Sequence, residues 1–235
     1  MLNIINKILS RIFYHKSQVT RNPFEQNLIF SKHFSNFNAE LKSLTNTKLE
    51  PYFKLRCTEI YDIVEKHDVK TIVEIGTGRT TFLFNTISGV NCISVEQDKG
   101  WFEIIDRVLR KHSLNAEIML SSVSAYKNGA RFDELPFVEP DLLYIDAPYF
   151  HKDGQKKGFE TFTGKPAYYD FETYFARGVF PKIIMIEGRT DTADAILNSD
   201  FSSKYNFEGE FIFCIQRKRY FSSIKFLRHS VFVLK

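Results

Sequence analysis

Long apolar runs are missing from this 235-residue chain. A helix that spans a bilayer needs roughly 18–20 consecutive apolar residues, so the sequence predicts no transmembrane helix. Cysteine is scarce as well. Cys57, Cys92 and Cys214 are odd in number, far apart and without a Cys-x-x-Cys pair. That excludes a disulfide framework and a zinc knuckle, and it fits reduced thiols in a cytoplasmic protein. A cleavable leader is not expected: Asn6, Lys7, Ser10 and Arg11 interrupt the apolar start, and no small-residue cleavage site follows. There is no internal repeat. Hydrophobic residues make up 43% and charged residues 26%, which excludes a wholly disordered chain.

Acids are absent from both ends. Residues 1–23 carry Lys7, Arg11, Lys16 and Arg21 and no acid. Residues 211–235 carry Arg217, Lys218, Arg219, Lys225, Arg228 and Lys235, again without an acid. The formal charge of +4 therefore describes an acidic body between two basic ends. An anionic partner should meet the ends rather than the body. Phenylalanine is abundant, with 24 residues, and is expected to fill a core.

Residues 1–14 read as an amphipathic helix, with Leu2, Ile5, Ile8, Leu9 and Ile12 on one face. One reading packs that face on the domain or on a second subunit. The other rests a basic amphipathic helix on an anionic membrane surface, placing a cytoplasmic protein peripherally at the inner membrane. Residues 17–50 are weakly patterned and read as a linker or irregular cap, so residues 1–50 form an N-terminal extension. The main domain is expected over residues 51–235. A helix is predicted from Pro51 to Asp68, with Leu55, Ile60, Ile63 and Val64 facing inward. Strand-length apolar runs follow at 71–75, 92–95, 117–120, 142–145 and 183–186, separated by helical patterns such as Trp101, Ile105, Val108 and Leu109. This alternation predicts an α/β fold around a mostly parallel sheet. Residues 208–215 and 230–234 are β-like with no clear helix between them, and read as a closing antiparallel pair.

The first strand runs into Glu74-Ile75-Gly76-Thr77-Gly78-Arg79-Thr80-Thr81. A strand entering a glycine turn and then a helix is the setting of a nucleotide site, where the backbone turns sharply and a ligand approaches closely. The third glycine of the dinucleotide fingerprint is missing, and Thr81 stands in its place. Glu74, two residues before the first glycine, repels a diphosphate but suits a cationic ligand. Glu96 ends the second strand 20 residues after Gly76, where an acid can accept both ribose hydroxyls. The fourth strand ends in Asp146-Ala147-Pro148-Tyr149, at the carboxyl edge where open α/β sheets bind ligands.

Taken together, Glu-x-Gly-x-Gly and the two later acids resemble the class I S-adenosylmethionine-dependent methyltransferases, over roughly residues 50–235. The resemblance implies a Rossmann-like three-layer sandwich, with a seven-stranded sheet that ends in an antiparallel pair. It implies S-adenosyl-L-methionine as cofactor. Gly76, Thr77 and Gly78 would form the turn under its methionine part, and Glu74 would lie near the ammonium, directly or through water. Glu96 would hold the ribose with Gln97 beside it, and Ser121 or Ser122 would lie near the adenine. The family often has an acid at that last position, and this chain does not.

The acceptor is read separately. Asp146-Ala147-Pro148-Tyr149 resembles the Asp-Pro-Pro-Tyr motif of base amino-methylases but departs from it at Ala147. A hydroxyl on a small molecule or glycan is the favoured acceptor. The alternatives are N-methylation of a nucleic-acid base or a protein, and a non-catalytic binding protein with the same fold. The segment 147–170 is long enough to form a lid, and His151 in it is the general-base candidate for a hydroxyl. Asp146 is either a base or acceptor-orienting group, or a structural acid on the cofactor's side. Tyr149, Glu187 and Arg189 are expected at the acceptor pocket, with Glu187 and Arg189 as an acid–arginine pair and Arg189 gripping an anionic substrate. Asp146, Glu187 and Asp191 offer oxygen ligands to Mg²⁺, but the neighbouring Arg189 competes for them, so no metal is assigned.

Overall fold

The computed structural model describes residues 28–47, 53–146, 167–208 and 230–235. The predicted helix at 1–14, His151, Tyr149 and most of the expected lid lie outside the described residues.

The first described element is helix α1, Leu28–Thr45, which corrects the irregular cap expected over 17–50. Its inward stripe is narrow and aromatic (Phe34, Phe37 and Leu41, all buried), so polar neighbours masked its helical period. Helix α2, Phe53–Lys66, follows, and its Phe53 ring stacks on Phe34 at 5.1 Å. The chain then alternates through β1 (Thr71–Ile75), α3 (Arg79–Thr86), β2 (Asn91–Glu96), α4 (Lys99–Lys111) and β3 (Glu117–Leu120). Asp98 caps α4 by accepting the Trp101 amide at 2.8 Å, and Ile105, Val108 and Leu109 form its buried face. Next come β4 (Val123–Tyr126), β5 (Gly129–Phe132), β6 (Leu142–Ile145), β7 (Ala167–Tyr168) and helix α5 (Asp170–Ala176). Strand β8 (Ile183–Ile186), helix α6 (Thr190–Leu197), β9 (Tyr205–Phe207) and β10 (Ser230–Leu234) complete the order.

Seven strands form the main sheet in the order β3-β2-β1-β6-β8-β10-β9. The first five are parallel, and β10 is antiparallel to both β8 and β9. The closing pair is as expected in kind, but β9 lies at 205–207, upstream of the expected 208–215, most of which is outside the described residues.

Alternation along the strands sorts two cores. Val73, Ile75, Leu143, Ile145, Ile184 and Ile186 face α5 and α6. Ile72, Leu142, Tyr144, Ile183 and Met185 face the opposite layer with α1 to α4. Phe37 and Phe82 meet there at 4.5 Å, tying α1 to α3.

A second sheet, β4-β5-β7, was not expected. Its strands are two to four residues long and mix Ser, Ala, Gly and Arg, too little apolar pattern to read as strands. Lys127-Asn128 turns the hairpin, with Lys127 at φ 53°, and Asn128-Gly129 is the one local signal that marks it. The sheet also corrects the end of the expected lid. Tyr168 and Tyr169 are core residues at 0% and 7% exposure, not lid surface. Among the described residues no helix is long and apolar enough to cross a membrane.

Candidate functional site

Every parallel strand of the main sheet ends at one edge, and the candidate residues gather there. Between β1 and α3 the chain turns at Gly76, whose φ of 91° lies in the left-handed region that favours glycine. The Gly76 amide donates to the Val95 carbonyl at 2.9 Å. Gly78 differs. Its φ of 169° is extended backbone, and a Cβ there would meet nothing within 4 Å. Neither conformation nor packing demands glycine at 78, which leaves room for a ligand to approach the backbone.

Glu74 is fully buried beneath this turn. Its carboxylate accepts hydroxyls from Thr80, Thr81 (2.7 Å) and Ser94 (2.6 Å). Burial pushes its pKa up to about 7 against the three hydroxyls, with the charge of Asp146 adding to the rise. Glu74 therefore braces the turn from inside.

Glu96, 2% exposed at the tip of β2, takes four donors. Thr77 gives its amide (3.1 Å) and hydroxyl (2.7 Å) to Oε2, and the Gln97 and Asp98 amides each give 2.8 Å to Oε1. The Trp101 indole donates to the Thr77 carbonyl at 2.9 Å, so the turn is pinned on both sides. Arg79 donates from Nε to Asn38 at 2.8 Å and anchors the same turn to α1.

Ser121 follows β3, and its amide reaches the Glu96 carbonyl at 2.9 Å. Ser122 donates its hydroxyl to Asp133, while the Asp133 amide returns to the Ser122 carbonyl at 2.9 Å. Asp133, just past β5, brings an acid to a position where the sequence has none. Only the unforeseen small sheet carries it there.

Asp146 ends β6, and its amide bonds the Ile75 carbonyl at 2.9 Å. Glu187 ends β8, and its amide bonds the Ile145 carbonyl at 2.9 Å. The expected Glu187–Arg189 pair is not formed. Glu187 pairs with Arg56 of α2 and accepts the Tyr144 hydroxyl. Arg189 turns to the other layer, where its guanidinium carbon lies 5.2 Å from the centre of the Tyr168 ring. Strand alternation alone would put residues 187 and 189 on one face; Gly188 at φ 58° breaks it and sends the two side chains apart. The sequence missed Arg56 and Tyr144 because nothing local marks a partner supplied by another element. Among the described residues no cluster of three or more His, Cys, Asp or Glu stands ready to hold a metal ion.

Counted along the main sheet alone, the order is third, second, first, fourth, fifth, seventh, sixth, with the seventh reversed. The fold is a Rossmann-like three-layer sandwich with a mostly parallel seven-stranded sheet that ends in an antiparallel pair. No protein-family model matches the chain, and no curated protein does. Solved structures of this fold are similar at low identity. An O-methyltransferase from Bacillus cereus, in complex with S-adenosylhomocysteine, is 11% identical over 87% of this chain and 91% of that one, with a TM-score of 0.49. A methyltransferase from Pyrococcus furiosus is 14% identical over 87% of this chain and 96% of that one, with a TM-score of 0.42. A tRNA (uracil-54, C5)-methyltransferase from Pyrococcus abyssi is 14% identical over 76% of this chain and 36% of that one, with a TM-score of 0.41. Within this fold, Gly76–Gly78, Glu96, Ser121, Asp146 and Arg189 all stand at the carboxyl edge, where open α/β sheets take ligands.

Proposed function

We propose that this protein is an S-adenosyl-L-methionine-dependent methyltransferase whose acceptor is a hydroxyl on a small molecule or a glycan. The observation that carries this is Glu96, nearly buried at the tip of β2 and closed on the Thr77 amide and hydroxyl beside an unfilled Gly78. A carboxylate there that already accepts paired O–H and N–H donors can accept a ribose diol in place of Thr77. The residues fit the cofactor. Gly76, Thr77 and Gly78 receive its methionine part and Gln97 lies beside Glu96. Ser121 and Ser122 flank the adenine, and Asp133 supplies the acid that this position lacks. Glu74 acts from beneath, by fixing the turn.

When bound, the sulfonium supplies an already activated methyl group. The chain's task is then to orient the acceptor and remove its proton. Asp146 orients the hydroxyl from the end of β6, and His151 takes the proton. Tyr149 and Arg189 bind the remainder of the acceptor, with Glu187 in a supporting role behind Tyr144. The protein works in the cytoplasm, with residues 1–14 offering contact to an anionic membrane surface.

Calorimetry with S-adenosylmethionine and S-adenosylhomocysteine tests the reading. Wild type should bind both in the micromolar range, and Glu96→Ala should weaken binding at least tenfold while keeping its circular dichroism. Absence of binding by the folded wild type would sink it.

A further inference from the structure

Arg189 is only 4% exposed, yet its Nε and Nη1 have no hydrogen-bond partner among the described residues. Buried guanidinium groups are almost always paired, because their five N–H donors lose water and need acceptors in exchange. The two bare nitrogens lie on different edges of the guanidinium plane, Nε on the side and Nη1 on the end. Both edges that grip oxyanions therefore hold an unused donor. The guanidinium carbon lies over the Tyr168 ring, 5.2 Å from its centre. Glu187, its near neighbour in sequence, is engaged by Arg56 and Tyr144. Burial lowers the Arg189 pKa, and the charge of Asp146 opposes that fall, so Asp146 is the acid whose field reaches it.

Position gives the group its meaning. The residues proposed for the cofactor stand at the ends of β1, β2 and β3. Arg189 follows β8, across β6 from them. Adjacent strands are about 4.8 Å apart, so Arg189 stands roughly 10 Å along the edge from the glycine turn. It is on the acceptor's side, one strand from Asp146.

We infer that Arg189 is an oxyanion-recognition residue: the methyl acceptor carries a carboxylate or phosphate group that docks on one edge of its guanidinium, leaving the reacting hydroxyl beside Asp146. The word acceptor rests on the proposed methyltransferase activity. The oxyanion site rests on Arg189 itself. A neutral acceptor would offer the bare donors no charged partner, whereas a planar carboxylate or a phosphate pairs with one guanidinium edge at two points.

The test uses the full chain with three probes: benzoate, its uncharged counterpart benzamide, and inorganic phosphate. Thermal shift and calorimetry are run on wild type, Arg189→Met and Arg189→Lys. Benzoate or phosphate should raise the wild-type melting temperature by a few degrees, and benzamide should not. Arg189→Met keeps the length and removes the unpaired charge. It should melt no lower than wild type without probe and lose at least tenfold in oxyanion affinity. Should it fail to fold, Arg189→Lys carries the test, because a point charge cannot reproduce the two-point grip of a guanidinium edge and affinity should still fall about tenfold. Which of benzoate and phosphate binds tells the two sources apart. Failure of both to bind wild type, or equal binding by the variants, would overturn the inference. S-adenosylhomocysteine affinity should stay within twofold in Arg189→Met. A tenfold loss would assign the arginine to the cofactor's own carboxylate and overturn the acceptor role. If S-adenosylhomocysteine does not bind wild type while an oxyanion binds through Arg189, the methyltransferase reading fails and the oxyanion site stands.

Discussion

Glu74 and Ser94 face each other in register across β1 and β2, and the serine donates its hydroxyl to the carboxylate at 2.6 Å. Thr81 extends the contact outward. Its oxygen donates to Glu74 at 2.7 Å and accepts the Gly78 amide at 2.8 Å. A buried acid is thereby linked through one hydroxyl to the backbone of the glycine turn.

This link predicts a pH dependence. Burial lifts Glu74 from an ordinary 4.5 to about 7, and Asp170, buried and accepting the Phe132 amide at 2.9 Å, from 3.8 to about 7. Both groups hold their protons more tightly when folded. Stability is therefore greatest below the unfolded values, falls as pH rises through the window up to about 7, and levels off above it. Glu74→Gln removes one of the two contributions. It should be close to wild type at acid pH and more stable by about 1–3 kcal/mol at pH 8 in urea unfolding. Parallel pH profiles for the two proteins would contradict it.

The two glycines of the turn should respond differently. Gly76 at φ 91° strains any other residue, so Gly76→Ala should lose about 1–2 kcal/mol of stability. Gly78→Ala meets no strain and no neighbour, so its urea midpoint should match wild type. Its S-adenosylhomocysteine affinity should nevertheless fall several-fold, because the added methyl stands where the ligand must approach. A stable Gly78→Ala with unaltered affinity would remove the turn from the binding site.

Much of this edge was legible in the sequence, for a physical reason. Parallel strands buried on both faces read as apolar runs, so β1, β6 and β8 appear at their observed bounds; β3, a partly exposed edge strand, shows at its bounds as a short apolar run. The residues that follow them, Gly76, Glu96, Ser121, Asp146 and Arg189, then fall to one edge by topology alone. Partnerships were not legible. Glu187 meets Arg56 across 131 positions of chain, and Asp133 reaches Ser122 through a hairpin too short and polar to register as strands. Helix α1 was hidden by its composition, since three apolar contacts among polar neighbours hold an 18-residue helix only once α3 and α4 are in place.

The Arg56–Glu187 pair should matter more when broken than when replaced. The Glu187 side chain is 6% exposed and that of Arg56 20%, so removing the cation takes the counter-charge from a buried carboxylate that also accepts the Tyr144 hydroxyl. Arg56→Met should cost roughly 2–4 kcal/mol. Adding Glu187→Gln should restore at least half of that loss, giving a coupling of 1 kcal/mol or more in a double-mutant cycle, by order of magnitude about what contacting pairs show. Additive losses would mean that the pair contributes nothing specific.

Gly129 supplies the most local test of the small sheet. It pairs with Ala167 across β5 and β7, and a Cβ there would collide with the Ala167 carbonyl and crowd the Tyr169 ring. The obstacle is backbone, which cannot rotate away, so relief requires β7 to move off β5. Tyr168 is the next residue of β7, and its ring lies under the Arg189 guanidinium. Gly129→Ala should therefore lose on the order of 1–3 kcal/mol in urea unfolding. It should also weaken benzoate or phosphate binding while sparing S-adenosylhomocysteine, whose proposed contacts lie on β1 to β3. Amide exchange read by mass spectrometry should speed up at 129–132 and 167–169 and stay unchanged at 71–75. Loss of protection spread evenly over the main sheet would show instead that the small sheet is not a separable support for Tyr168.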